Sequence, residues 1–422
     1  MRHRPGVLLV LIAAGAATLS ACGQAPTPSS SAAVSLPATA ASAPAPAAAD
    51  GSGLTTTASP SAPASAKSSP KPAAIRATTA VAPTKPAPAT RTGAAATASF
   101  GNPAGRAAIP ADARAVDTSH PNRVVGRGTP ASCTSAAVVA AVARGGIIRF
   151  DCGRKPVTIT MTATAKVVNT SKRVVLDGGG LVTLSGAGKR RILYMNTCDA
   201  GQTFTTSHCQ DQETPQLVVQ NLTFANGNST GQRQEGGGGG AVFDRGGRLK
   251  IVNSRFVGNR CDSTGPDLGG AAVRALSQSR GRPVYVVRST FEKGVCSNGG
   301  AISSIGVSWT ILDSVFRNNQ AVGRGANPAK AGTPGGGSGG AVYNDGNRMT
   351  LRIAGSIIEK NRATEGGGAV FYVSNDRSGT MRIENSVLRS NPNAGFETAG
   401  YPGIFYLGAT AAPIVVGRRP TR

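Results

Sequence analysis

The sequence is short of several things that common functions require. Aromatic residues make up only 4% of the 422-residue chain, so there is little side-chain surface on which nucleic-acid bases could stack, and the formal net charge of +25 does not by itself indicate a nucleic-acid partner. Three histidines are present, and only His120 and His208 follow the first 22 residues. No Cys-x-x-Cys spacing accompanies them, so the pattern of a zinc site is missing. The longest leading apolar run, Val7 to Ala17, is too short to span a bilayer. Acids number 20 against 45 Lys and Arg. With 56 Gly and 27 Pro, the chain as a whole does not read as an ordinary globular protein.

What is abundant is a repeat. Between Leu217 and Asn391 one unit recurs six times: apolar, any, apolar, any, a turn with Ser in most copies, then a large apolar residue seven places after the first. The copies begin at Leu217, Leu249, Val284, Trp309, Leu351 and Met381, and their large residues are Phe224, Phe256, Phe291, Phe316, Ile358 and Leu388. Three places further on stand Gly227, Asn259, Gly294, Asn319, Asn361 and Asn391, residue types that tolerate a left-handed backbone. A Gly-Gly-Ala signature or its equivalent interleaves at Gly239, Gly269, Gly299, Gly339 and Gly367. Alternation such as Leu249-x-Ile251 describes a strand with one buried face. Each unit is therefore strand–turn–strand, and repeats of this length without helices predict an all-β solenoid of stacked coils, a parallel β-helix. The Leu-x-Leu-x-x-Asn spacing of a leucine-rich repeat is missing.

The Gly-Gly-Ala-Val/Ile motif paired with Ser-x-Phe-x-x-Asn resembles the repeats of chlamydial-type polymorphic outer-membrane proteins. More broadly it resembles the right-handed parallel β-helix, pectate-lyase-like superfamily, over about residues 130–410. The resemblance implies the fold; it leaves function open, because lyases, hydrolases and adhesins share it. The Asn-Thr-Asp, Asp-Asp, Gly-His-Gly and Arg-Ile-Lys motifs of the polygalacturonase relatives do not occur here, and no adjacent acids fall on one coil face as a paired-carboxylate glycosidase needs.

Taken in order, residues 1–22 read as an export signal. Arg2 and Arg4 precede the apolar core, and Leu19-Ser20-Ala21-Cys22 resembles the bacterial lipobox, which implies lipidation of Cys22 and anchoring by acyl chains. The alternative is an ordinary signal with an incidental cysteine. Residues 23–105, almost wholly Ala, Pro, Ser and Thr, read as a disordered tether. The remainder carries 38 basic against 19 acidic residues, so the positive charge belongs mainly to the folded part, 106–412. Ser135 to Arg144 reads as a short helix capped by Thr134 or Ser135 and ended by Gly145-Gly146. It is similar to the N-terminal helix that covers the open core of many pectate-lyase-like proteins. Residues 413–422 read as a loose basic tail.

Setting Cys22 aside leaves six cysteines, consistent with an oxidising compartment. Cys261 and Cys296 each lie five residues after a repeat phenylalanine, so stacking ~4.8 Å apart brings them within disulfide range. Cys198 and Cys209 flank one loop, and Cys133 and Cys152 bracket the helix.

Candidate sites follow from the register. Between the two inward positions of the first strand stand Val218, Lys250, Tyr285, Thr310, Arg352 and Arg382. Lys250, Tyr285, Arg352 and Arg382 form either a binding face for an acidic polysaccharide or a solvated face whose charge blocks edge pairing. Glu292, Arg317, Glu359 and Arg389 read as an inter-coil ion-pair ladder. Asp199, Asp211 and Glu213 in the loop from Cys198 could supply oxygen ligands to Ca²⁺, or simply form a polar disulfide loop. No other cofactor is indicated. The expectation is an exported, lipid-anchored protein of the bacterial cell envelope, a non-catalytic adhesin or binder of acidic glycans or of a host or neighbouring cell surface. A polysaccharide lyase acting on uronates is the alternative, and a nucleic-acid partner is not expected.

Overall fold

A computed structural model describes residues 100–422 apart from 203, 234 and 235. The export segment, Cys22 and the tether up to residue 99 lie outside the described residues. The chain is mostly parallel β-strand arranged in three stacked sheets of sixteen, eight and three strands, a solenoid-like arrangement. Among the described residues no helix is long and apolar enough to cross a membrane.

One rung shows how the repeat folds. Arg248–Val252 forms a strand, Asn253 and Ser254 turn the chain, and Arg255–Val257 forms the next. Leu249 and Ile251 point inward and are buried, as is Phe256. The rungs stack in register, Lys250 against Tyr285 and Phe256 against Phe291. The phenylalanines form a continuous stack, with centroids 5.0 Å apart for Phe224–Phe256, 4.6 Å for Phe256–Phe291 and 4.7 Å for Phe291–Phe316. Ile358 and Leu388 continue it.

The turns are held by two polar ladders. Ser289, Ser314, Ser356 and Ser386 each accept a backbone N–H from the serine one rung earlier. Asn319, Asn361 and Asn391 do the same at the second bend. The left-handed residues expected at this bend are displaced by one. Asn226, Gly258, Lys293, Asn318, Lys360 and Ser390 carry the positive φ, and Asn259, Asn319, Asn361 and Asn391 do not. The asparagines recur there because their buried amides satisfy neighbouring backbone groups, not because of their dihedrals. The glycine signature likewise follows register: Gly270, not Gly269, shares the positive φ of Gly239, Gly299, Gly339 and Gly367, consistent with Val242 pairing with Val273.

The helix Ser135–Arg144 forms as its sequence predicts, with the Thr134 hydroxyl accepting from the Ala137 N–H at 3.2 Å and Gly145 ending it at φ 67°. Val138, Ala141 and Val142 join the apolar cluster of the strands. Disulfides link Cys133 to Cys152, Cys198 to Cys209 and Cys261 to Cys296.

Both ends of the folded unit differ from expectation. Residues 100–105, assigned above to the tether, are hydrogen-bonded to the first sheet: Gly101 N–H to Thr290 Oγ1 at 2.9 Å and Asn102 N–H to the Asp313 carbonyl at 2.8 Å. The tail is not loose either. Ile414–Val416 pairs in parallel with Arg382–Glu384 and Thr421 bridges to Arg389, so the tail covers the last edge of the rungs.

Candidate functional site

The column between the inward positions exists in the structure. Val218, Lys250, Tyr285, Thr310, Arg352 and Arg382 are successive register partners on one outer face. That face is not open along its length, however. Residues 100–118 run across the rungs as a strap. Asp313 anchors it, its carboxylate accepting the Ala107 N–H at 2.9 Å. Further along, Gln220 exchanges two hydrogen bonds with the Val116 backbone, both 2.9 Å, and Thr118 donates to Asp177 at 2.6 Å. Beneath the strap, Ala107, Ile109 and Ala113 pack on an outward apolar stripe of Val252, Val287, Leu312 and Ala354. Removing that stripe from water is what keeps the strap down.

The strap divides the predicted column. Lys250 lies under it and donates to the carbonyls of Asp112 and Arg114 at 3.0 and 2.7 Å. Burial, reinforced by the Arg248 charge, lowers the Lys250 pKa. Arg352 and Arg382 stand further along the stack, where both bind Glu384. Hydrogen bonds from Arg382 and Arg352 pull that carboxyl down against the effect of burial.

Between strap and sheet lies a cavity of about 390 Å³ that Lys250 and Tyr285 line together with Arg173, Arg248 and Asp112. Arg248 reaches Glu213 at 3.1 Å and Asp112 at 3.9 Å, and Arg282 reaches Asp112 at 4.0 Å. Three cations thus line the cavity with one carboxylate, which leaves a positive balance beside one aromatic ring. Arg173 and Arg248 were missed by the sequence reading. The signal was present: the same alternation that turns Lys250 outward turns out the residue before each first apolar position, and Arg173, Gln216 and Arg248 share that register.

The three carboxylates offered as Ca²⁺ ligands, Asp199, Asp211 and Glu213, do not converge. Among the described residues no group of three His, Cys, Asp or Glu side chains comes together to hold a metal. Protein donors draw the three carboxylates apart. Asp199 closes its own turn on the Gly201 N–H at 2.9 Å, Asp211 accepts the Arg280 N–H, and Glu213 is held by Arg248 and by Ser279 at 3.3 Å. Burial would raise the Glu213 pKa, and Arg248 more than reverses this.

The ion-pair ladder is present in part. Glu292 is nearly buried and bridges Arg255 and Arg317, and Glu359 pairs with Arg389. Burial pushes the Glu292 carboxyl up, but the two arginines bring it below its ordinary value.

The second sheet carries a polar group that the sequence reading did not reach. Arg274, only 1% exposed, donates to Ser303 Oγ and to the Asp267 carbonyl, both at 2.6 Å. Burial lowers its pKa to about 10. Nearby, the Asn327 amide donates to Asp267 at 3.0 Å and to the Tyr343 hydroxyl at 2.9 Å, and Tyr343 in turn donates to Asp345. Burial raises the Asp345 pKa. These contacts fasten the long loops onto the sheet. Inside the coil, fully buried Asp244 has one hydrogen-bond donor among the described residues, Gln278, and there its second oxygen has none. Burial raises its pKa well above the carboxylate range. With a folded pKa above the unfolded value of ~3.9, stability falls as pH rises from about 4 toward the folded pKa. Asp244→Asn is accordingly expected to raise the melting temperature at neutral pH and to flatten its pH dependence. A lower melting temperature than the parent at every pH would show that the carboxyl is favourable where it stands.

No protein-family model, curated protein or solved structure matches this chain.

Proposed function

We propose that this chain is an exported bacterial envelope protein, anchored by lipid on Cys22, whose folded unit is a right-handed parallel β-helix of pectate-lyase-like type with the helix Ser135–Arg144 covering one end. Its role is to bind acidic glycans without transforming them. The observation that carries this reading is the cavity under the strap, which Arg173, Arg248 and Lys250 line beside Tyr285 with Asp112 as the lining carboxylate. Guanidinium and ammonium groups recognise sugar carboxylates, and an aromatic face packs on a sugar ring. Binding is favoured over catalysis by the state of these cations. Lys250 donates to two carbonyls and Arg248 to Glu213, so both are held in place with protein acceptors already engaged.

The test is titration of the chain with polygalacturonate, using Arg248→Ala and Lys250→Ala. Each loss of a charge-assisted contact is expected to weaken binding about tenfold or more. The parent's affinity should fall with salt, since exposed charges are screened beyond ~8–10 Å at physiological ionic strength. A folded double variant that binds as tightly as the parent would refute this site.

A further inference from the structure

A second group of cations lies on a different part of the stack. The third sheet aligns Val295 with Gln320 and Gln320 with Arg362, and Arg362 faces outward beside buried Ala363. Next to it is a cleft of about 620 Å³, within the range of small-ligand pockets, whose cations are Arg324, Lys330 and Arg362. It shares no lining residue with the cavity under the strap.

The rim of this cleft is a fixed structure. Residues Arg324 and Ala326 bridge to Gly335 and Gly336, folding the loop back on itself. Glu365 fastens the loop to the next rung, accepting the Gly325 N–H at 2.8 Å and the Lys330 ammonium at 3.3 Å. Thr364 donates to the Gly323 carbonyl. These bonds commit Glu365, the cleft's one carboxylate, to the backbone and to Lys330. Among the described residues neither Arg324 nor Arg362 has an acidic partner. On the sixteen-stranded sheet, by contrast, the outward Arg317 and Arg389 are each bound to a glutamate. Two guanidinium groups without an acidic partner thus stand over a small apolar floor of Ala363, Pro392 and Ala394.

We infer that this cleft is a second ligand site, for an oxyanion-bearing molecule about the size of one or two sugar rings, with Arg324 and Arg362 gripping the anionic group. A carboxylate, a sulfate ester and a phosphate ester all present the paired oxygens that a planar guanidinium fork matches. The inference goes beyond the glycan reading, because it needs no other part of the molecule. If both sites are used, one molecule holds two anionic groups and can bridge two polymer chains, with the gain in avidity that linkage brings.

The experiment is calorimetric titration of the full chain with digalacturonate and, separately, with inorganic sulfate and phosphate, comparing the parent, Lys250→Ala and Arg324→Ala/Arg362→Ala. The expected result is two digalacturonate sites in the parent and one in the arginine double variant, with Lys250→Ala keeping the cleft's site. Arg324→Lys/Arg362→Lys is expected to restore less than a tenth of the affinity, because ammonium lacks the planar fork. If sulfate or phosphate saturates the cleft while digalacturonate binds neither site, the oxyanion site stands and the glycan reading falls. Equal stoichiometry and affinity for every anion in the parent and in a folded Arg324→Ala/Arg362→Ala variant would overturn the inference.

Discussion

Replacing Phe291 with alanine is expected to cost about 3–5 kcal/mol of stability, the range for a buried phenylalanine. Phe291 has no exposed surface and is sandwiched between Phe256 and Phe316, with its ring plane parallel to theirs to within 5°. The space it would leave cannot easily close. The strands on either side are held at their separation by the register Phe256–Phe291–Phe316 and by the serine and asparagine ladders at both bends. A hole that does not collapse adds a cavity cost to the lost transfer energy. Because coils in a stack contact mainly their neighbours, the loss should be felt first in the central rungs. Urea denaturation followed by hydrogen exchange would show it. A change below about 1 kcal/mol would mean that the rungs slide together, against the ladder account.

Asn361→Ala is expected to be comparably severe, at about 3–5 kcal/mol, for a different reason. The Asn361 side chain accepts from the Asn319 backbone N–H at 3.0 Å and from the Asn319 amide at 2.8 Å. It donates to the Phe316 carbonyl at 3.0 Å and to Asn391 Oδ1 at 2.9 Å. Alanine strands several buried donors and acceptors at once, and each stranded group costs about 1–3 kcal/mol. Asn361→Asp is a useful comparison. It keeps the acceptor but turns a second oxygen onto the Phe316 and Glu359 carbonyls, so it should destabilise as well, and more at neutral than at acid pH. If both variants melt within 2 °C of the parent, the asparagine ladder is not a principal support.

The parts of this architecture legible in the sequence are those written with a short period. Alternation around Leu249 and Ile251 announced the strand, and the spacing to Phe256 announced the stack, because inward positions in a parallel coil are fixed by local geometry alone. The strap was not legible. Val116 meets Gln220 across 104 residues, and no local pattern marks a segment whose partner is a whole face. Its docking stripe was nonetheless spelled out: Val252, Val287, Leu312 and Ala354 each follow an inward apolar residue and so point outward, where an apolar column needs a cover. The left-handed position was misplaced because Asn serves two purposes, permissive backbone and buried amide, and a sequence does not distinguish them. Why the loop carboxylates Asp199, Asp211 and Glu213 stand apart was not legible either. Arg248, Ser279 and the Arg280 N–H come from later in the chain, and they take the carboxylates that a metal would need.

The central functional claim, recognition of acidic glycans without turnover, is tested most directly by incubating the chain with polygalacturonate and with alginate. Co-sedimentation and ultraviolet absorbance of unsaturated uronate are followed in the same samples. The account predicts salt-sensitive co-sedimentation with at least one polymer, weakened in Lys250→Ala, and absorbance that stays at the level of the polymer alone. A steady rise in absorbance that disappears in Lys250→Ala while co-sedimentation persists would contradict it and identify a lyase.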